Sequence, residues 1–314
     1  MSDALLGYLL SAAALLLFTT AILTTKLASS RLTLSLGFLV ATATNVGFSA
    51  LALAVQLAWR PEGLGWNAQA FWLFAAAGAF ATYLGRWFFY ESVVRFGPAK
   101  ASIFQVSSPL FTALMAWLLL DERLTPRVAG GMALTVAGLM LVSCKPGLFS
   151  RRQASPVQSA LPAVSLHQRL LKSALLLGLG SSLAYAIGNV LRGTAVRLWN
   201  EPILGAWVGA VCGLVLHLAF SSGKRQLVAR LREASRSGLW LYALIGVATI
   251  SAQMCTIGAM RYIPLSVATL VTLCTPLLVF PLSHWLFKQQ EDLTALVLAG
   301  SALTLLGIFI IVLR

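Results

Sequence analysis

The stretch ERLTPRVAGGMALTVAG at residues 122–138 returns as EDLTALVLAGSALTLLG at residues 291–307, with the same spacing and no gap. Upstream of both stretches the agreement continues to within a residue or two. The landmarks of the first copy are Trp72, Gly78, Arg95, Pro98 and Pro109, and those of the second copy are Trp240, Gly246, Arg261, Pro264 and Pro276. The second half of the chain therefore repeats the first.

Each repeat contains five apolar stretches long enough to cross roughly 30 Å of hydrocarbon. The predicted spans cover residues 5–25, 34–58, 70–94, 99–120, 126–144, 173–196, 202–220, 238–260, 265–287 and 293–313. Because five is odd, a repeat that begins on one face of the membrane ends on the other, so the second copy is inserted upside down. The sequence predicts an all-α integral membrane protein of ten transmembrane helices in two inverted five-helix repeats. That architecture is typical of transporters that open to either side.

The composition indicates a membrane protein independently of the repeat. Of the 314 residues 59% are hydrophobic and 10% charged, and the mean hydropathy is +0.85. The net charge of +14 comes almost entirely from residues between the apolar stretches, as membrane insertion requires, so nucleic acid is not an expected partner. Asp3 is the only charge before Lys26, so the first stretch lacks the basic start of a cleavable signal and is predicted to be a span.

We divide the chain into a first repeat at 1–144, a linker at 145–172 and a second repeat at 173–314. The linker carries three prolines and loses the apolar periodicity. Lysine and arginine are about twice as frequent on the side of the membrane that carries the linker as on the side that carries the termini. Arg192, near the end of its predicted span, is counted on the side of the termini. The charges therefore favour a cytoplasmic linker and external termini.

Residues 96–138, FGPAKASIFQVSSPLFTALMAWLLLDERLTPRVAGGMALTVAG, resemble the EamA-type repeat of the drug/metabolite transporter superfamily. The shared features are a proline within the fourth helix, an acidic residue in the following turn and spaced glycines in the fifth helix. They fall at Pro109, Glu122, Gly131 and Gly138, and again at Pro276, Glu291, Gly300 and Gly307. We expect the glycines here, Gly130 included, to serve close helix packing.

The resemblance implies a secondary transporter of small organic solutes or metabolites, with export as the favoured direction and a bacterial inner membrane as the location. It also implies a central cavity lined by helices one, three, four, six, eight and nine. Relatives are described with both termini in the cytoplasm, which is the reverse of what the loop charges favour. The orientation therefore stays open.

The third predicted span is the richest candidate for substrate binding. Tyr83, Trp87 and Tyr90 follow one helical face, with Arg86 beside them about 12 Å from the helix end. A charge at that depth normally faces a cavity or a partner. We predict that Arg86 binds an anionic or carboxylate-bearing substrate while the aromatic rings stack on its organic part. The alternatives are a structural ion pair with Glu91 and snorkelling toward the basic loop.

Glu91 is the one acidic residue expected inside a span, and a desolvated carboxylate can carry a proton. Arg95, one turn further on, favours a static ion pair instead. Proton coupling through Glu91 and the static pair both stay open.

Further polar residues lie on the other helices expected to line the cavity. We take as substrate-binding candidates Gln105, Tyr185, Asn189, Gln253 and Thr272. Pro109 and Pro276 remove backbone hydrogen bonds within spans and are predicted helix breaks, either along the substrate path or as packing kinks. His217 and His284 lie near span ends and are expected to be interfacial.

Catalytic signatures are absent from the sequence: it has no phosphate-binding loop, no HExxH and no GxSxG. The four cysteines stand singly, so neither a metal site nor a disulfide framework is expected. We predict a transporter that is not an enzyme and has no cofactor, whose partners are its small-molecule substrate and the lipid bilayer; homodimerisation stays open. The alternatives are a flippase of a lipid or lipid-linked intermediate and, less favoured, a membrane-embedded lipid-modifying enzyme.

Overall fold

The computed structural model describes residues 3–60, 64–105, 107–108, 111, 115, 126–143, 174–220, 231–263, 268, 271–272, 274–287 and 295–312. Every regular element in these ranges is a helix, so the all-α prediction is confirmed for them. The predictions for the linker at 145–172, Pro109, Glu122 and Glu291 lie outside the described residues.

The helices follow the order of the predicted spans. In the first repeat they are α1 (Asp3–Ala28), α2 (Leu34–Ala58), α3 (Ala68–Ala77), α4 (Arg86–Phe96), α5 (Pro98–Gln105) and α6 (Pro126–Ser143). In the second repeat they are α7 (Ala174–Leu198), α8 (Pro202–Phe220), α9 (Arg236–Tyr262), α10 (Thr275–Phe287) and α11 (Ala295–Val312). A π-helical stretch, the π segment (Gly78–Gly85), joins α3 to α4 in one continuous rod.

Four of the described helices, α1, α2, α8 and α9, are long and apolar enough to cross a membrane. Shorter apolar stretches lie at Ala129–Gly138 in α6 and Leu298–Gly307 in α11. Tryptophan side chains are exposed near helix ends, among them Trp59, Trp72, Trp240 and Trp285. Such residues are typical of the membrane–water interface.

Local chemistry explains several helix boundaries. Asn67 caps α3 by accepting a hydrogen bond from the Ala70 nitrogen at 2.9 Å, and Ser235 caps α9 through the Gly238 nitrogen at 3.2 Å. Gly97 separates α4 from α5 with a φ of 91°, a conformation that favours glycine.

The main contacts between the two repeats come in reciprocal pairs. α1 packs along α9, and correspondingly α7 packs along the rod from α3 to α4. In the same way α2 contacts α9, while α8 contacts α3 and the π segment. Three pairs join equivalent helices directly: α2 with α8, α5 with α10, and α6 with α11. Exchanging the repeats maps these contacts onto one another, as a two-fold relation between the halves requires.

The α6–α11 pair is joined through matching glycines. A Cβ on Gly138 would lie 2.6 Å from the Thr304 nitrogen and 2.5 Å from the Gly300 oxygen. A Cβ on Gly307 would likewise lie 2.6 Å from the Thr135 nitrogen. Since real side chains do not approach backbone atoms so closely, only glycine permits this contact. The predicted packing role of Gly138 and Gly307 is confirmed.

The π segment also approaches its neighbour closely. A Cβ on Gly78 would lie 2.6 Å from the Cα of Gly209 in α8. The irregular part of the rod therefore packs backbone to backbone against the second repeat.

An ion pair links the two repeats near one end of the bundle. Glu201, buried just before α8, accepts hydrogen bonds from Arg60 Nη1 at 2.6 Å and from Gln56 Nε2 at 2.8 Å. Both donors lie at or just beyond the end of α2. A buried carboxylate that accepts hydrogen bonds from two donors has its hydrogen-bonding needs met within the protein, so we interpret this contact as structural.

Candidate substrate site

Arg86 is the first residue of α4, directly after the π segment, and only 4% of its surface is exposed. Its Nη2 donates to Gln253 Oε1 on α9 at 3.2 Å. In the amide orientation of Asn45 that satisfies all its neighbours, Nη1 of Arg86 donates to the Asn45 amide oxygen on α2. Arg86 therefore connects two helices of the first repeat to one of the second.

Asn45 lies about halfway along α2 and is fully buried. Its amide nitrogen donates to the carbonyl oxygens of Gly246 at 2.7 Å and Ala41 at 3.0 Å. Because these acceptors fix the amide nitrogen, the amide oxygen is left facing the Arg86 guanidinium. The backbone of α9 thus helps to position the side chain that receives Arg86.

Thr82, in the π segment, extends the network to a second arginine. Its hydroxyl oxygen accepts from Arg192 Nη2 on α7 at 3.1 Å and from Gln253 Nε2 at 3.4 Å. Arg192 is 7% exposed. The resulting chain of hydrogen bonds runs from Arg192 through Thr82 and Gln253 to Arg86. We call these four residues, with Asn45, the two-arginine network.

No described carboxylate contacts either guanidinium of this network. Glu91 instead pairs with Arg95, its Oε1 accepting from Arg95 Nε at 2.6 Å, and Glu201 pairs with Arg60. The partners found for Arg86 are all neutral: the amides of Gln253 and Asn45 and the hydroxyl of Tyr185. Of the two readings proposed for Glu91, this geometry matches the static ion pair.

Two tyrosines lie beside the network. The ring of Tyr185 on α7 lies near both guanidinium groups and Tyr90 on α4 lies near Arg86. Tyr90 is 2% exposed, and its hydroxyl lies beside that of Thr25. The Thr25 hydroxyl donates to the Ala21 oxygen at 2.7 Å, and its own oxygen can accept a hydrogen bond from Tyr90.

The aromatic stripe of the third predicted span packs mainly on α2. The rings of Tyr83, Trp87 and Tyr90 meet Phe38 edge-on, with centroids 6.3, 5.3 and 5.9 Å away. Across the described residues no aromatic ring lies over the Arg86 guanidinium; the cation–π contact found is Arg261 over Tyr262. The structure therefore keeps Tyr90 beside Arg86 but places Tyr83 and Trp87 in an aromatic cluster.

His217 belongs to that aromatic cluster and is buried there. The residue is 3% exposed, its ring lies 4.8 Å from that of Phe38, and its Nε2 is 3.2 Å from the Ser35 oxygen. It lies near a helix end, as predicted, but α2 covers it. His284, in contrast, is exposed.

Gln105 joins the site from the other side of the π segment. Its Oε1 accepts from the Ser181 hydroxyl at 3.1 Å, and that hydroxyl lies 2.9 Å from the Gly85 oxygen. The Gly85 carbonyl belongs to the last residue of the π segment, where the regular helical bonding changes. Gln105 is thus linked to the backbone immediately before Arg86.

Three candidates remain: Asn189, Thr272 and Pro276. Asn189 is half-buried on α7, one turn from both Tyr185 and Arg192. The Thr272 hydroxyl donates to the Ala268 oxygen at 3.3 Å, as in many apolar helices. Pro276 is buried in the first turn of α10, where a missing N–H removes no helical hydrogen bond.

Sequence reasoning missed three members or supports of the site. Arg192 was assigned to the end of its span, yet it lies inside α7 and is buried; Thr82 and Asn45 were not singled out. The position of Arg192 within the predicted span 173–196 was the available signal. Asn45 and Thr82 gave none, because their partners lie far away in sequence.

The arrangement holds two guanidinium groups, one from each repeat, among neutral donors and acceptors at the interface of the halves. Guanidinium groups match the geometry of carboxylate and phosphate oxygens. Helices interrupted near mid-membrane and polar groups at a repeat interface are typical of the substrate sites of secondary transporters.

Comparison with known proteins identifies the family to which the chain belongs. The EamA-like transporter family matches residues 5–144 and 172–313. Among proteins with curated functions, none matches the chain. Among solved structures 28 chains match, and one protein crystal structure is 19% identical with a TM-score of 0.60, covering 98% of this chain and 94% of that one. That likeness concerns the fold. Because the family matches both repeats and thus most of the chain, this integral membrane protein belongs to the EamA-like transporter family, of the drug/metabolite transporter type.

Proposed function

We propose that the protein is a secondary transporter that exports small organic solutes across a bacterial inner membrane by alternating access. Its ten spans form two inverted five-helix repeats that rock against each other. The observation that carries this proposal is the two-arginine network, whose members come from both repeats. A solute bound there touches both halves at once.

The packing of the halves supports the proposed movement. Contacts between the repeats are reciprocal, so tilting one half in either direction produces equivalent rearrangements. The π segment makes the rod irregular beside the network, and π-helical stretches are frequent at functional sites. Polar groups buried this deep are expensive in a membrane and usually mark a substrate path.

Transport by purified protein in liposomes tests the proposal. A thermal-shift screen with amino acids, metabolites, cationic drugs and lipid headgroups first identifies solutes that stabilise the protein, because a ligand of the folded state raises its unfolding temperature. Each stabilising solute is then loaded into liposomes. We expect protein-dependent efflux of the solute, reduced about 10-fold or more in Gln253→Leu, which removes two hydrogen bonds of the network.

Gln69→Leu is the matched control, since Gln69 is exposed on α3 away from the network. It is expected to transport like the unchanged protein. Solutes that bind but never cross the liposome membrane would contradict a transporter. Stabilisation by lipid headgroups alone, with lipid moving between leaflets, would favour the flippase.

Orientation is a separate prediction, motivated by the excess of basic residues on the linker side. Single cysteines at Ser237, just inside α9, and at Asn200, between α7 and α8, report on opposite sides; both positions are exposed. In a background without native cysteines, an impermeant thiol reagent applied to intact cells should label Asn200→Cys and not Ser237→Cys. The reverse pattern would place both termini in the cytoplasm.

A further inference from the structure

We infer that the two-arginine network is the binding site for a small organic anion that carries two negative charges, with its oxyanion groups held between Arg86 and Arg192. This inference rests on the proposed transport function, which it deepens by naming the substrate class. The charge of the site carries the first step. Both guanidinium groups are buried, at 4% and 7% exposure, and the partners that the structure gives them are neutral.

Two neighbouring buried cations repel each other and lose their hydration, so an empty site of this kind is unfavourable. The two groups are joined through Thr82 and Gln253 in one chain of hydrogen bonds. Proteins usually relieve such a situation with carboxylates, but the described carboxylates nearest in sequence, Glu91 and Glu201, are paired elsewhere. A ligand with two negative charges would neutralise the pair.

Hydrogen-bond capacity carries the second step. A guanidinium offers five N–H donors in a planar fork. Arg192 directs Nη2 to Thr82, and Arg86 directs Nη2 to Gln253 and Nη1 to Asn45. Among the described residues, Thr82 is the one hydrogen-bond acceptor found for Arg192, so most of its fork can serve a bound anion. Carboxylate and phosphate groups each accept several such bonds.

The origin of the two arginines carries the third step. Arg86 follows the π segment of the first repeat, whereas Arg192 lies on α7 of the second. An anion between them attracts both halves toward itself, and its departure restores the repulsion. The bound anion therefore determines how closely the two halves approach at this point.

Binding of matched anionic and neutral probes tests the charge assignment without any variant. Succinate and glycerol 3-phosphate carry two negative charges, while succinamide has the shape of succinate and no charge. We expect millimolar succinate or glycerol 3-phosphate to raise the unfolding temperature of the purified protein, and succinamide to leave it unchanged. Inorganic phosphate is included, because stabilisation by inorganic phosphate alone would show an adventitious ion only.

The variant Arg192→Gln tests whether the stabilising anion binds at the two-arginine network. It is expected to weaken binding of the stabilising anion about 10- to 150-fold, the value of a hydrogen bond to a charged group. Arg197→Gln, which removes an exposed charge from the last turn of the same helix, should bind like the unchanged protein. Because Arg192→Gln relieves repulsion in the empty site, its unfolding temperature without ligand should not fall.

The inference is overturned if succinamide stabilises the protein as well as succinate, if neither dianion stabilises it, or if Arg192→Gln binds the anion unchanged. Measurements of efflux from liposomes distinguish a failure of the anion site from a failure of the proposed transport function. Efflux of a neutral or cationic solute, unaffected by Arg192→Gln, would leave the transporter standing and remove the anion site. Anion binding without efflux of any solute would keep the site and remove the transporter.

Discussion

Replacing Gly138 with alanine is expected to destabilise the protein by about 1–3 kcal/mol, the usual loss when a close-packed contact is overfilled. The new methyl group would lie 2.6 Å from the Thr304 nitrogen and 2.5 Å from the Gly300 oxygen, so α6 and α11 must separate. These are backbone atoms and cannot swing aside. The unfolding temperature of the protein in detergent measures the loss, and leucine at the same position should prevent recovery of folded protein.

Two further variants control this prediction. Gly130 lies on the same helix, but a Cβ there meets no described residue within 4 Å, so its expected packing role is not found in the described part of the chain. Gly130→Ala should therefore leave stability unchanged or raise it, because alanine favours a helix by about 0.5–1 kcal/mol over glycine. Gly307→Ala should lose about as much as Gly138→Ala, since its Cβ would meet the Thr135 nitrogen at 2.6 Å. Equal unfolding temperatures for the variants at positions 130 and 138 would contradict the packing argument.

The helices were predictable because their signals are local. The predicted span 202–220 coincides with α8 (Pro202–Phe220), and the span 34–58 coincides with α2 (Leu34–Ala58). Long apolar runs must form helices in a membrane to satisfy their own backbone. The glycine spacings indicated that α6 and α11 take part in close packing, but only the structure shows that the two helices pack against each other.

The π segment was visible only indirectly. From Gly78 to Arg95 the first repeat is two residues longer than the second is from Gly246 to Arg261. A π-helical stretch accommodates extra residues without breaking the rod, and it lies within this interval at Gly78–Gly85. The spacing therefore revealed an insertion, but a loop or a bulge would have given the same count.

The partners of the site residues could not be predicted. Arg86 and Gln253 are separated by 167 positions, so only the tertiary fold brings these two side chains together. The helical periodicity placed Tyr83 and Trp87 on one face with Tyr90, but it could not say that Phe38 covers that face. Its predicted depth in the membrane singled out Arg86 as unusual. Arg192 was not singled out, because its predicted span ends only four residues after it.

Arg86→Gln is expected to reduce transport about 10- to 150-fold without lowering the unfolding temperature of the ligand-free protein. The variant loses the charge that faces Asn45 and Gln253, but it leaves a polar side chain that can bond one of these amides. It also removes one of two buried like charges, which should stabilise the empty protein. Loss of activity with unchanged or higher stability is the signature of a group kept for function.

Arg95→Gln is the matched control on the same helix. Arg95 lies near the end of α4 and pairs with Glu91 at a partly exposed position, where ion pairs contribute about 0–1 kcal/mol. We expect Arg95→Gln to transport normally and to unfold at nearly the same temperature. Initial rates of efflux from liposomes, together with thermal unfolding in detergent, provide both measurements.

A purely structural role of Arg86 predicts the opposite result. If Arg86 merely held the fold together, Arg86→Gln would unfold at a clearly lower temperature, and the remaining folded protein would transport at the normal rate. If Arg86 depended on Glu91, removing both charges would restore what removing one had lost. The geometry argues against that coupling, because Glu91 already accepts the Arg95 guanidinium while Arg86 points to α2 and α9. Normal efflux by a well-folded Arg86→Gln protein would therefore remove Arg86 from the substrate site, leaving the packing of the two repeats intact.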